Sequence, residues 1–137
     1  MSEQTDRGRN ADAKKTILVV DDDPDVVTIV KGILNGGGYE VRSACNGQGL
    51  FARLQEARPD LIVLDIRMPE MDGLEILKRL KTTSETSSIP VILLTGKGQY
   101  TDVLRGYELG SDYYINKPFT GTQLIHGVQL FLGAGNS

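Results

Sequence analysis

Residues 61–73, LIVLDIRMPEMDG, combine an apolar run, an acid and a loop, and this order is the strongest indication of the fold in the sequence. The first four residues are all apolar, which is typical of a strand buried on both faces of a parallel sheet. The run ends in Asp65, and the following loop contains Met68-Pro69 and closes on Asp72, which can cap a helix. This order predicts a parallel α/β sheet, in which ligands bind beyond the carboxyl ends of the strands.

The same unit recurs along the chain. Further strands are predicted at residues 17–20, 39–44, 91–94 and 113–115, and the alternating pattern of 39–44 is typical of an edge strand. Helices are predicted at about 24–36, 46–57, 72–82, 100–109 and 120–131. Five strands alternating with five helices require crossover connections, which favour a parallel sheet with helices on both faces.

Composition limits the class of protein. The 137 residues suffice for one domain, and the net charge of −3 argues against direct nucleic-acid binding by this domain. Apolar runs of four residues are too short for a membrane span, and the N-terminus lacks the apolar stretch of a secretory signal. The single cysteine, Cys45, fits a reducing compartment. We therefore expect a cytoplasmic protein.

The ends of the chain differ from its middle. Residues 1–15 carry both charges and almost nothing apolar, so we expect a disordered tail. The predicted domain covers residues 16–133, and residues 134–137 form a short C-terminal tail.

Polar residues follow four of the five predicted strands. They are Asp21 and Asp22, Asp65, Thr95 and Lys117. Because parallel strands end at the same edge of a sheet, we expect these side chains to be neighbours. An acid that follows a strand is most often a helix cap and a lone lysine most often a solvated charge, so only the combination indicates a functional site.

Three clustered carboxylates repel one another, and a hard divalent cation relieves that repulsion. Mg²⁺ prefers oxygen ligands and typically takes one or two carboxylates. Asp21 or Asp22 together with Asp65 can supply them, and the backbone carbonyl of Arg67 can supply a further oxygen.

The other members of the cluster suit phosphoryl transfer. Asp65 can act as a nucleophile towards a phosphoryl group and form an acyl phosphate. Lys117 can pair with one phosphoryl oxygen, and the Thr95 hydroxyl can donate a hydrogen bond to another.

With these motifs the chain resembles the receiver domain of bacterial two-component response regulators. The similarity covers residues 16 to about 132 and rests on VVDDD at 19–23, LDIRMPEMDG at 64–73, LLTG at 93–96 and NKPF at 116–119. It implies a doubly wound, flavodoxin-like sheet with strand order 2-1-3-4-5. It also implies a signalling domain rather than an enzyme, which takes a phosphoryl group from a sensor histidine kinase or a histidine phosphotransfer protein.

The resemblance also implies roles for single residues. Asp65 would be the phosphoacceptor, Asp21 and Asp22 the acidic Mg²⁺ pair, Thr95 and Lys117 the phosphoryl contacts, and Tyr114 the switching aromatic. It further implies a cis peptide bond between Lys117 and Pro118. The face formed by the last two helices and the fifth strand would then control an output domain or downstream partner, and a homodimer is a further possibility.

Two other functions remain open. A phosphatase of the haloacid-dehalogenase type also uses an aspartate nucleophile, a threonine, a lysine and magnesium, but it needs a second aspartate where this chain has Arg67. A receiver-like binding module that is never phosphorylated would keep the same residues. Incubation with a small phosphodonor and magnesium separates the three functions.

Two long cations stand at positions that tune the lifetime of the acyl phosphate in the family that the chain resembles. Arg67 follows the acceptor by two residues, and Lys97 follows Thr95 by two. Neither can orient an attacking water as an acid or an amide can, which predicts a long-lived phosphoryl state.

Overall fold

In the computed structural model, residues 14–68, 72–96 and 100–133 are described. Strands are β1 (Thr16–Val20), β2 (Glu40–Ala44), β3 (Leu61–Asp65), β4 (Val91–Thr95) and β5 (Tyr113–Asn116). Helices are α1 (Pro24–Gly36), α2 (Gly47–Glu56), α3 (Gly73–Thr82), α4 (Tyr100–Glu108) and α5 (Gly121–Leu132). Most of the predicted N-terminal tail, all of the C-terminal tail and Lys97 lie outside the described residues.

The five strands form one parallel sheet in the order β2-β1-β3-β4-β5. The predicted doubly wound topology is therefore confirmed. The outermost strand β2 is only half buried, as its alternating sequence predicts, whereas β3 and β4 are buried throughout. Strand β5 is one residue longer than predicted because Asn116 continues the pairing opposite Thr95.

Each face of the sheet has its own apolar core. Leu18 and Leu64 point to the face covered by α2 and α3, whereas Ile17 and Val63 point to the face covered by α1 and α5. This division follows from the two-residue period of a strand, which sends alternate side chains to opposite faces. Because both faces are covered, polar groups that follow the strands gather at the carboxyl edge.

Side-chain caps fix the N-termini of four helices. The side chains of Asp23, Asn46 and Asp72 accept hydrogen bonds from backbone N–H groups of α1, α2 and α3, and Asp72 is a cap that the sequence predicts. Thr120 and Gln123 form a capping box at the start of α5. Such caps satisfy N–H groups that have no partner within the helix.

Helix α3 begins in close contact with the loop after β3. The Gly73 N–H donates to the carbonyl oxygen of Ile66 at 3.0 Å. A Cβ atom at Gly73 would lie 2.4 Å from the Asp65 carbonyl oxygen and 2.7 Å from Ile66 Cα. The first residue of α3 therefore packs directly on the backbone around Asp65, which only glycine permits.

Candidate functional site

Acidic side chains from two neighbouring strands meet at the carboxyl edge of the sheet. Asp21 follows β1 and is fully buried, and Asp65 ends the central strand β3 and is 5% exposed. Asp22 is exposed, but one carboxylate oxygen from each of the three acids lies within 4.8 Å of the others. Clustered carboxylate oxygens are the donor set that a hard divalent cation prefers, so the residues present fit Mg²⁺.

Lys117 joins this cluster from the loop after β5. Its Nζ donates to Asp21 Oδ2 at 2.9 Å and lies 3.5 Å from Asp65 Oδ1. The peptide bond between Lys117 and Pro118 is cis, as the resemblance implies. The polar residues expected at one edge of the sheet do meet there, and their chemical roles remain predictions.

The electrostatics of the site bring the pKa of Asp65 closer to neutral pH than is usual for an aspartate. Burial, together with the nearby charge of Asp21, raises the pKa of Asp65 to about 6, although Lys117 and the Arg67 N–H act in the opposite direction. Burial alone would lower the pKa of Lys117, but its hydrogen bond to Asp21 and the charges of both acids raise that pKa overall. Lys117 is therefore a cation throughout the physiological pH range, and Asp65 is mostly ionised at pH 7.

Thr95 occupies the predicted position at the end of β4, with a partner that the sequence did not indicate. Its side chain is buried, and Oγ1 donates to Asn116 Oδ1 at 2.8 Å. The Lys117 backbone N–H donates to the Thr95 carbonyl oxygen at 2.6 Å. Asn116 directly precedes the site lysine in NKPF, and that adjacency was the signal that could have identified it.

Tyr114 lies two positions before Asn116 on β5 and pairs with Leu93. It is half buried and makes an edge-to-face contact with Tyr107, with ring centroids 5.9 Å apart. A cavity of about 750 Å³ opens between α4 and β5, and Thr95, Tyr107 and Tyr114 contribute to its lining. Thr95 and Tyr114 therefore line the same cavity.

Arg67 contributes to the site through its backbone and to α4 through its side chain. Its N–H donates to Asp65 Oδ1 at 3.3 Å. Its guanidinium donates through Nε at 2.9 Å and through Nη2 at 2.6 Å to the same oxygen, Oδ2, of Asp102. The sequence did not indicate this ion pair, because Asp102 lies within a predicted helix and follows no apolar run.

The single histidine and the single cysteine have ordinary surroundings. His126 is exposed on α5, and Cys45 is exposed in the loop after β2. Within the described part of the chain, no helix combines the length and apolarity needed to cross a bilayer.

A family model of the response regulator receiver domain matches residues 17–129. The chain belongs to this family. The receiver-domain model covers every strand and reaches into the last helix, and all the polar residues that meet at the carboxyl edge lie within it.

Curated relatives agree with this assignment. The phosphate regulon transcriptional regulatory protein PhoB of Pseudomonas aeruginosa is 39% identical over 126 residues, which cover 90% of this chain and 55% of that protein. The alkaline phosphatase synthesis transcriptional regulatory protein PhoP of Bacillus subtilis is 37% identical over 118 residues, which cover 86% of this chain and 48% of that protein. The receiver chain thus spans about half the length of the curated relatives it matches.

Two solved structures match over nearly their whole length. A putative response regulator from Chloroflexus aurantiacus is 32% identical with a TM-score of 0.83, and the match covers 88% of this chain and 98% of that one. The chemotaxis protein CheY4 of Vibrio cholerae is 31% identical with a TM-score of 0.82, covering 87% of this chain and 99% of that one. The receiver domain described here is thus a signalling domain, a phosphoryl-accepting switch of two-component systems.

Proposed function

We propose that Asp65 is the phosphoacceptor and that Asp21, Asp22, Thr95 and Lys117 assist the transfer. The observation that carries this proposal is the meeting of Lys117 Nζ with two buried carboxylates, 2.9 Å from Asp21 and 3.5 Å from Asp65. Burying two carboxylates beside a single cation lowers the stability of the fold, which is unfavourable in a purely structural role. The same arrangement is useful where a metal ion and a phosphoryl group bind.

The transfer follows from the chemistry of the acceptor. An Asp65 oxygen attacks the phosphorus of a phosphohistidine, an O–P bond forms, and the P–N bond breaks with its electron pair returning to the imidazole. The pKa of about 6 leaves Asp65 mostly ionised at pH 7 and therefore nucleophilic. Lys117 stabilises charge on the phosphoryl oxygens, and the Thr95 hydroxyl can leave Asn116 to donate to one of them.

Asp21, Asp22 and Asp65 would hold Mg²⁺, with the Arg67 carbonyl as a further oxygen ligand. When bound, the ion neutralises charge on the carboxylates and on the phosphoryl oxygens. The support for this assignment is the donor set itself, because three carboxylate oxygens lie within 4.8 Å of one another.

Switching would run from Thr95 to Tyr114. When the Thr95 hydroxyl turns from Asn116 towards the phosphoryl group, the adjoining cavity accommodates the Tyr114 ring, which changes the face formed by α4, β5 and α5. Tyr107, Tyr113 and Ile125 would belong to that face. If Tyr114 only completes the edge of the core, Tyr114→Ala should leave the output unchanged.

The partner that supplies the phosphoryl group would be a sensor histidine kinase or a histidine phosphotransfer protein. Homologous full-length proteins are transcriptional regulators by name, so an output module or a separate downstream partner would receive the signal. The absence of direct nucleic-acid binding by this domain, its cytoplasmic location, a homodimer and the domain limits 16–133 remain predictions.

The decisive experiment is incubation with acetyl phosphate and MgCl₂, followed by intact-mass measurement. We expect the mass of the wild type to rise by one phosphoryl group, which hydroxylamine removes because an acyl phosphate is labile. Asp65→Asn should gain none. Asp60→Asn is the matched control, since Asp60 lies at the start of β3 and its carboxylate accepts the Thr16 N–H at 2.8 Å.

Three results would contradict the proposal. Equal phosphorylation of Asp65→Asn would place the acceptor elsewhere, and a wild type that gains no mass would favour a binding module that is not phosphorylated. Continuous turnover of an unrelated phosphate ester would favour the phosphatase instead.

A further inference from the structure

The ion pair between Arg67 and Asp102 is the feature that the proposed function leaves unused. Asp102 stands in the first turn of α4, and its side chain is 20% exposed, whereas that of Arg67 is 67% exposed. Two guanidinium nitrogens converge on one Asp102 oxygen, at 2.9 and 2.6 Å. Two charge-assisted hydrogen bonds fix the direction of the Arg67 side chain better than one would.

This pair connects the acceptor to a distant element. The Arg67 N–H donates to Asp65 Oδ1, so the same residue contacts the acceptor with its backbone and α4 with its guanidinium. The route is separate from the one through Thr95 and Tyr114, which reaches α4 by way of β5.

Helix α4 is weakly anchored compared with the other helices. Within Tyr100–Glu108, all of which the structure describes, the buried residue is Gly106, which allows the helix to approach Leu93 closely. Tyr100 is 83% exposed and Leu104 is 66% exposed. Because little apolar surface holds α4 on the sheet, a polar tie in its first turn has a larger share in fixing its position.

We propose that Asp102 is a positioning residue that holds the Arg67 guanidinium on α4 until Asp65 is phosphorylated. The inference rests on the proposed function. A phosphoryl group on Asp65 carries nearly two negative charges in place of the single charge of the carboxylate, and it brings new acceptor oxygens two residues from Arg67. It then competes with Asp102 for the guanidinium, and transfer of Arg67 to the phosphoryl group releases the first turn of α4.

Because Asp102 and the phosphoryl group compete for the same Arg67 guanidinium, two consequences follow. Phosphorylation loosens α4 through the loss of its tie. In return, whatever keeps Asp102 on Arg67 weakens the hold of Arg67 on the phosphoryl group, because coupling between two sites is reciprocal. A partner that binds α4 would therefore change the lifetime of the acyl phosphate.

The test combines phosphoryl lifetime with hydrogen exchange. Asp102→Asn should lengthen the half-life of the acyl phosphate by about three- to fivefold, the shift that an exposed ion pair can supply, because Arg67 no longer has a competing anion. In an Arg67→Met background the same substitution should change nothing. In the unphosphorylated protein, Asp102→Asn should accelerate amide exchange in α4, and phosphorylation of the wild type should do the same.

Glu108→Gln is the matched control. It removes an exposed carboxylate that pairs with Arg105 on the same helix, at 3.3 Å, and that stands at the end of α4 opposite to Asp102. It should leave both the half-life and the exchange of α4 at the wild-type values.

The outcomes separate this inference from the proposed function. A wild type that takes no phosphoryl group refutes both. A protein that is phosphorylated normally refutes the inference alone if Asp102→Asn leaves the half-life unchanged or alters it equally with and without Arg67. Unchanged exchange of α4 in Asp102→Asn refutes it as well, and this measurement needs no phosphorylation.

Discussion

Acids and a lysine occur at both the amino and the carboxyl edge of the sheet, but the two edges pair these charges differently. At the amino edge, Asp60 accepts the Thr16 N–H at the start of β1. Nearby, Asp112 Oδ2 accepts the Val91 N–H at 2.8 Å and the Lys81 ammonium at 3.1 Å. Each carboxylate there is matched to a backbone donor of a strand.

At the carboxyl edge the charges are not matched in this way. Asp21 and Asp65 are both buried and, among the described residues, share Lys117 as their ion-pair partner. A third acid, Asp22, adds to the excess of negative charge. The comparison teaches that the surplus of like charge, and not the presence of acids and a lysine, distinguishes a binding site from a structural ion pair.

The largest expected effect separates the two lysines. Lys117→Met should slow phosphorylation by acetyl phosphate about 10²-fold or more, because a charge that stabilises the transferring group is lost. Lys81→Met should be phosphorylated at the wild-type rate, since Lys81 bonds the Ile89 carbonyl and Asp112 at the other edge. The rate of mass increase measures both.

Equal phosphorylation rates for Lys117→Met and Lys81→Met would show that the carboxyl edge has no special part in the transfer. A circular dichroism spectrum of each variant shows whether it has kept the fold, so that a slow rate can be assigned to the site.

A smaller effect, of opposite sign at the two edges, concerns stability. Because the pKa of Asp65 is raised from 3.8 to about 6, the folded protein favours the protonated acid. That contribution is fully present below about pH 4 and is lost as pH rises through 6. At pH 7 and without metal, Asp65→Asn should therefore raise the free energy of unfolding by on the order of 1–3 kcal/mol.

Asp112→Ala should lower that free energy by about 1–3 kcal/mol, because it leaves a backbone N–H and part of the Lys81 ammonium without an acceptor. Urea unfolding at pH 4 and pH 7 measures both variants. The gain in Asp65→Asn should disappear at pH 4, and a gain that persists there would show that its cause is not the charge of the acid.

The smallest effect is the response to magnesium. At a concentration of Mg²⁺ about ten times its dissociation constant, bound ion should stabilise the wild type by about 1.4 kcal/mol. Asp22→Asn should lose most of this response, whereas Asp60→Asn should keep it. The shift of the melting temperature on addition of MgCl₂ measures this response. An equal shift in Asp22→Asn and Asp60→Asn would place the ion outside the acidic cluster.

Much of the carboxyl edge could be predicted because its residues directly follow apolar runs. Asp21, Asp65 and Thr95 each stand at the end of a buried strand, so a parallel sheet brings them together whatever the details of the helices. The caps Asp23 and Thr120 were predictable for a related reason, since they depend on local sequence alone.

The pairs that join distant elements could not be predicted in this way. Arg67 and Asp102 are 35 positions apart, and Lys81 and Asp112 are 31 positions apart. None of the four follows an apolar run, and their meeting depends on how α3 and α4 pack on the sheet. Hydrophobic periodicity gives the inner face of a helix but not the exact placement of its charged side chains.

The close contact at Gly73 makes the surroundings of Asp65 more rigid towards α3 than towards α4. Backbone touches backbone where α3 begins, so a push on the loop towards α3 meets immediate steric resistance. Towards α4 the described part of the loop is held by a side-chain contact, the pairing of Arg67 with Asp102. Because a side chain can change its rotamer more easily than packed backbone can yield, we expect the residues around Arg67 to move more readily towards α4 than towards α3.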